Sequence, residues 1–338
     1  MIIYLSLLIS SFFFSVLEVF TIENTKKYFQ YIANTYVFVL FILFSFNRKN
    51  NDYEAYVNIF DGITTVKEKG YVFLNYVIKY FGGTYNINLL ILGILLIYVL
   101  FSVYKIEYKI FFIFLYSIYA LIYDINQVRN LYSIMFVLIG LKFLSLKKDM
   151  LFILFTALAC FFQRVAFIYF LFYLLSKFEI RTYIKAIVIS FVLLLCFIIK
   201  SQDIMLLVFP DKMVYYLSNN PNHGFVLYYL YFLYDIFLLI YLRKNLDIES
   251  VYFKFILFPI IMLPTSYLFL ELIGRLWRNS LYIKLFYLLP SLKDRKKRTI
   301  IFISLIIEQV LFLGPGFILA PKYTVDFLSQ ISNICFYF

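Results

Sequence analysis

Four arginines stand where a mostly apolar chain has little reason to place a fixed charge. Arg129 opens one apolar run in "QVRNLYS", Arg164 breaks another in "FQRVA", and Arg275 and Arg278 lie close together in "IGRLWRN". A charged group at hydrocarbon depth costs about 2.5–3.5 kcal/mol on insertion scales, so it normally faces a cavity or a partner. The guanidinium stays charged, and its planar fork matches phosphate oxygens two at a time. A second group sits in and after "NNDYEAYVNIF": Asp52, Tyr53, Tyr56 and Glu68. Tyrosine faces pack on the C–H surfaces of a sugar ring while the hydroxyl hydrogen-bonds. A carboxylate binds sugar hydroxyls and can take the proton from one that attacks. Asn130 beside Arg129 and Gln163 beside Arg164 add neutral hydrogen-bonding groups. Phosphate-holding and sugar-holding groups together in such a chain fit a sugar joined through pyrophosphate to a lipid.

Each residue taken singly also has a plainer reading. An arginine at the end of an apolar run can be an interfacial anchor, and a tyrosine there can belong to the aromatic belt. Asp52 can be a helix N-cap, and Glu68 can pair with its neighbours Lys67 or Lys69. Arg275 and Arg278, spaced i, i+3, share a helix face, which favours a joint role. No HExxH, CxxC, Gly-rich phosphate loop or Ser/His/Asp arrangement occurs, so neither a metal nor a cofactor is expected. The lone histidine, His223, falls in a turn-rich "NNPNHGF", and the three cysteines have no disulfide or metal spacing.

The elements that must position these groups are membrane helices. The chain has 338 residues, 64% of them hydrophobic, and a mean hydropathy of +0.88. A soluble protein, typically about 45–50% apolar, does not bury so much. Apolar runs cover 2–20, 28–46, 86–104, 108–124, 130–146, 150–162, 165–176, 184–200, 224–242, 254–273, 276–291 and 299–318. The first lacks a basic leader region and is read as a retained span. The fold expected is all-α: a polytopic integral membrane protein of about 10–12 transmembrane or half-membrane helices, one domain over 1–338. The formal charge of +12 is carried mainly in short loops, where cations set orientation, so nucleic acid is not an expected partner. "KDRKKR" (Lys293 to Arg298) should be cytoplasmic, with the clusters at Lys26, Lys105 to Lys109, Lys142 to Lys148, Lys177 to Lys185 and Arg243 to Lys254. These agree only if 150–176 enters and returns as a hairpin with its tip at Gln163–Arg164. Both termini and the loops 47–85 and 201–223 then lie outside, the first loop carrying an amphipathic surface helix near Tyr71 to Phe81. The arginines, the acids and the tyrosines all gather on that outer face.

In order and spacing, these residues resemble the Wzy-type O-antigen and exopolysaccharide polymerases, in the EpsG-like branch. "NNDYEAY" follows that branch's G-x-D-Y-x-x-Y, with Asn50 for the glycine. "EKGYVFLN" follows E-x-G-(Y/F)-x-x-L-N through Glu68, Gly70, Tyr71, Leu74 and Asn75. Arg129 stands for the Arg of an Arg-Gln pair, with Asn130 for the Gln, and Arg275 stands for a late arginine before an aromatic helix. Gln163 replaces the histidine of F-H-x-S-A, so that group's proton transfer does not carry over. The resemblance implies a membrane glycosyltransferase on the outer face of a bacterial inner membrane. It would join oligosaccharide repeat units carried on undecaprenyl pyrophosphate into O-antigen or a related surface polysaccharide. Arg129, Arg164, Arg275 and Arg278 would hold the pyrophosphate. Asp52 or Glu68 would orient or deprotonate the acceptor hydroxyl, and Tyr53, Tyr56, Asn75, Asn130 and Gln163 would line the sugar path. Its partners would be the lipid-linked oligosaccharide, membrane lipid and a chain-length regulator, with no cofactor. A lipid-linked oligosaccharide flippase is the alternative, and a non-catalytic scaffold for glycan assembly a third reading.

Overall fold

Long apolar segments cannot leave backbone groups unpaired in hydrocarbon, so they close their hydrogen bonds within helices. The computed structural model describes residues 2–21, 26–46, 52–118, 120–186, 188–189, 192, 223–262 and 270–319, and these contain helices and no strand. Asn50, most of the run 184–200 and, of the second loop expected at 201–223, residues 201–222 lie outside the described residues. Helices Tyr28–Ser45, Tyr85–Val103 and Val128–Ser145 are each long and apolar enough to cross a membrane, and shorter apolar helices accompany them. The protein is an all-α polytopic membrane protein. Large side chains such as Phe13, Phe38 and Phe237 remain exposed, as lipid-facing positions do.

The chain gathers into two compact units, Met1–Phe170 with Leu288–Phe338, and Leu171–Tyr287. In the first, α1 (Ile2–Phe20), α2 (Lys26–Ser45) and α5 (Tyr85–Ile97, prolonged by a π-helical turn Tyr98–Val103) pack with α6 (Lys109–Ile118). Glu18 of α1 accepts the N–H groups of Phe111 (2.9 Å) and Ile110 (3.3 Å), so one helix supplies the N-terminal cap of another. α14 (Arg298–Leu319) joins them, with Phe302 stacked on Phe111 at 4.5 Å. In the run 108–124 the described helical residues are α6 and α7 (Ala120–Asn126), on either side of residue 119, which lies outside the described residues, and Tyr116 donates to the buried Asp124 at 2.6 Å. α8 (Val128–Ser145) and α9 (Asp149–Phe162) form a tight hairpin, where a Cβ on Gly140 would lie 3.1 Å from Phe155 Cβ. α9 stops at Phe162. Gln163 is extended (φ −151°, ψ 114°), and a 3-10 turn, Arg164–Phe167, leads into α10 (Ile168–Ser176).

The second unit holds α11 (His223–Leu242), α12 (Val251–Ile261) and α13 (Leu270–Leu288). Phe172 packs edge-on against Phe255 at 5.0 Å. Lys284, in the apolar run of α13, is buried against Asp235 of α11 at 2.7 Å. Neither charge is tenable there alone, so each requires the other.

Two short helices lie between α2 and α5 in the first unit. α3 (Tyr53–Asp61) ends at Gly62, whose left-handed φ of 83° lets its N–H turn back to Ile59 and Asn58. α4 (Lys69–Tyr80) buries Tyr71, Asn75 and Ile78 and exposes Phe73, Tyr76 and Tyr80. Its first turn touches the end of α9 so closely that a Cβ on Gly70 would lie 2.7 Å from Phe161 Cβ and 3.0 Å from Phe161 backbone. Only glycine fits there. Gly70→Ala should push α4 off α9 and cost about 1–3 kcal/mol. The check is the thermal midpoint of the purified protein, which should fall; an unchanged midpoint would mean that the contact is slack.

Candidate functional site

α8 begins at Val128, which puts Arg129 in its first turn. Across from it, Glu68 occupies the N-cap position of α4, and its side chain makes no cap hydrogen bond. That carboxylate instead meets Arg129, Nη1 to Oε2, at 2.6 Å. The sequence offered Lys67 and Lys69 as neighbours for Glu68; the structure pairs it with a residue 61 positions away. The side chains of Arg129 and Glu68 are 27% and 12% exposed, so solvent screens the pair only partly and removal of either leaves an under-compensated charge. Tyr56 of α3 lies beneath the guanidinium, whose carbon is 5.9 Å from the ring centre, within cation–π range. The Arg129 Nε is buried and makes no hydrogen bond among the described residues. A guanidinium has five donors, so this one has capacity for more acceptors than Glu68.

Around the pair stands a wall of rings. Tyr56 stacks parallel to Tyr85 at 6.3 Å and lies edge-on to Tyr71 at 5.9 Å. Tyr53 packs edge-on to Tyr85 at 5.4 Å and donates to Asn86 Oδ1 at 3.1 Å. Tyr132 of α8 stacks on Phe162 at 5.0 Å and donates to Asn88 Oδ1 at 3.0 Å. Asn88 Nδ2 donates to Asn75 Oδ1 at 2.6 Å. The network Asn75–Asn88–Tyr132 is buried and ties α4, α5 and α8 together, its hydrogen bonds strengthened by the low-dielectric interior, while Asn75 Nδ2 finds no partner among the described residues. Asn75 therefore stands inside the wall. Burial pushes the Tyr71 hydroxyl well above the ordinary tyrosine range. It also raises Tyr56, against the pull of Arg129. Both remain neutral phenols.

Asp52 occupies the N-cap position of α3, yet its side chain makes no cap hydrogen bond. Partial desolvation holds its carboxyl above the usual aspartate range, and Arg129 nearby pulls it back. Arg164, in the 3-10 turn after α9, is exposed and donates from Nη2 to the carbonyl of Lys67 at 3.1 Å. It thereby holds the backbone just before Glu68. Gln163 and Asn130 are buried nearby in sequence, on the tip and on α8. The structure thus brings Asp52, Tyr56, Glu68 and Arg129 together and ties Arg164 to the same loop. Arg275 and Arg278 belong to the second unit, where they share a face of α13 and Arg278 Nε donates to Gly274 O at 3.2 Å. Among the described residues no three of His, Cys, Asp and Glu gather as a metal site.

Sequence reading passed over Asn86, Asn88, Tyr85 and Tyr132. The signal was present in "YNIN": two asparagines at the head of an apolar run, where an amide needs a hydrogen-bonding reason to be. Asp124 and Asp235 carried the same signal inside other runs.

Two features set the expected behaviour of Asp52. Desolvation raises it, and Arg129 lowers it. In purified protein, the carboxyl C=O band assigned by its loss in Asp52→Asn should persist to higher pH than for an ordinary aspartate. Arg129→Gln removes the opposing cation and should move that titration further up. Infrared titration checks both. A band already lost at the ordinary aspartate range, or unmoved by Arg129→Gln, would contradict the geometry.

The model of the EpsG family matches residues 30–324, most of the chain. No curated protein matches, and no solved structure matches.

Proposed function

The chain belongs to the EpsG family, and from that premise we propose that it polymerises lipid-linked oligosaccharide repeat units into a surface polysaccharide. The family places the protein in polysaccharide biosynthesis as a polymerase-like membrane protein. The finer reading is that it works on the outer face of a bacterial inner membrane, with undecaprenyl-pyrophosphate-linked glycans as donor and acceptor. The observation that carries it is Arg129: a part-buried arginine at the head of a membrane helix, paired to Glu68, lying over Tyr56, with a donor unmet.

The chemistry then assigns itself to the residues. A non-reducing-end hydroxyl oxygen of the acceptor attacks the anomeric carbon of the donor glycan. The bond from that carbon to the pyrophosphate oxygen breaks, and the lipid pyrophosphate leaves with the electron pair. The hydroxyl proton passes to a carboxylate. Of the two carboxylates the proposal takes Asp52 as the base, its raised basicity suiting the task. Arg129 neutralises charge as it develops on the leaving group, and Glu68 keeps Arg129 oriented. Tyr53 and Tyr56 supply faces for the sugar, with Asn130 and Gln163 as polar contacts, and Asn75 fixes the wall behind them. Arg164 holds the loop and is within the same proposal for the anion. For Arg275 and Arg278 the proposal, a hold on the pyrophosphate, is carried by the sequence pattern alone. Anchoring both glycans in one membrane supplies proximity.

The test is a surface-glycan gel on cells expressing Arg129→Ala or Arg275→Ala at normal membrane levels. Polymerisation predicts collapse of the long-chain ladder to a band of one repeat unit. An unchanged ladder would leave both arginines as interfacial anchors. Loss of even the one-unit band would favour the flippase.

A further inference from the structure

α5 and its π-helical turn run from Tyr85, in the tyrosine wall, to Val103, 19 residues on. At 1.5 Å per residue that is roughly 28 Å, close to the ~30 Å thickness of a hydrocarbon core. Just past this far end the first unit holds an open cavity of about 860 Å³. Its lining comes from the end of α1, the start of α2, the loop before α6 and the segment leading into α14. Lys109, Lys293, Arg295 and Arg298 contribute four cations, and Glu18 and Glu107 two carboxylates.

The two carboxylates do not balance the four cations. Glu18 accepts two backbone N–H groups of α6. Glu107 pairs with Lys293 at 2.8 Å. Arg295 and Arg298 have no ion-pair partner among the described residues, and the Arg298 Nε donates to Leu292 O at 2.8 Å, which fixes the guanidinium. Val19, Phe20, Phe29 and Ala33 give the cavity an apolar side, with Thr21, Gln30 and Tyr108 between. An excess of positive charge beside an apolar wall at the end of a membrane helix matches one chemistry: a phosphate on a hydrocarbon stem. A freely soluble phosphate would need the cations and not the wall.

We infer that this cavity binds the phosphate group of an anionic membrane lipid, with Lys109, Arg295 and Arg298 around the phosphate and Phe20 and Phe29 along the acyl chains. By the distribution of cations along the chain, this is the cytoplasmic leaflet, the one in which "KDRKKR" lies. The site is separate from the Arg129 cluster and stands whether or not that cluster polymerises glycans. Basic pockets between membrane helices on the cytoplasmic side are suited to acidic headgroups.

The experiment is native mass spectrometry of the full-length protein in a neutral detergent, titrated with phosphatidylglycerol and, separately, phosphatidylcholine of the same chains. Phosphatidylglycerol should bind more tightly. Lys109→Gln/Arg295→Gln/Arg298→Gln should weaken it by about fivefold for each cation removed, while leaving phosphatidylcholine unchanged. The charge-keeping set Lys109→Arg/Arg295→Lys/Arg298→Lys should retain the preference, which separates charge from folding. If the triple glutamine variant is not monodisperse, the single Arg295→Gln, at an exposed position, carries the comparison. Equal binding of the two lipids, or an undiminished preference in the glutamine variant, overturns the inference. Displacement of phosphatidylglycerol by millimolar inorganic phosphate, with equal thermal stabilisation by phosphate alone, assigns the cavity to a soluble anion and overturns it too.

Discussion

The Glu68–Arg129 pair is the constraint on which the arrangement of α3, α4 and the head of α8 depends. A loop of polar residues above a bundle of apolar helices has no hydrophobic reason to adopt one conformation. Here three contacts within four residues fix it. Arg164 holds the Lys67 carbonyl, Arg129 holds the Glu68 carboxylate, and Gly70 lets α4 press against Phe161. The chain at the start of α4 is thereby locked to the head of α8, the end of α9 and the turn that follows it. α3 and its Asp52 and Tyr56 follow, because α3 packs on α4 and α5. Breaking the pair would strand a charge and release the loop together, and this coupling makes the two roles of Arg129, brace and ligand donor, hard to separate by simple deletion.

The helices and their type were legible in the sequence because apolar length is a direct signal of a membrane span. The head of α8 at Gln127–Arg129 and the break at Gln163 were legible for a related reason: a polar residue interrupting an apolar run marks an end. The site was legible as a set of residues and not as a set of contacts. Spacing suggested Lys67 or Lys69 for Glu68 and an N-cap for Asp52. The structure gives Arg129 to the first, and the second stands at the cap position without capping. Pairings over 61 residues arise from tertiary packing, which no local pattern encodes. Asn75 shows the same limit: the motif singles it out, while its bond to Asn88 depends on how α4 meets α5.

Three charged sites inside the apolar helices follow one rule. Glu18 caps α6, Asp124 accepts from Tyr116, and Lys284 meets Asp235. Each is answered within its own unit, as the cost of burial demands. Arg129 instead combines an ion pair, an aromatic face and a buried donor with no acceptor among the described residues. That incompleteness separates a candidate site from a structural contact, and it lies beside rings of the kind a sugar needs.

The measurement that tests this account most directly is an exchange of the pair. Glu68→Arg and Arg129→Glu are made singly and together, and each form is assayed for membrane level, thermal midpoint and glycan chain length in the same cells. The account predicts that the exchanged double variant regains the stability lost by either single change and still makes no long chains, because the guanidinium no longer sits at the head of α8. Restoration of full-length chains by the exchange would show that the pair is a brace and nothing more, and would contradict the assignment of Arg129 to the pyrophosphate.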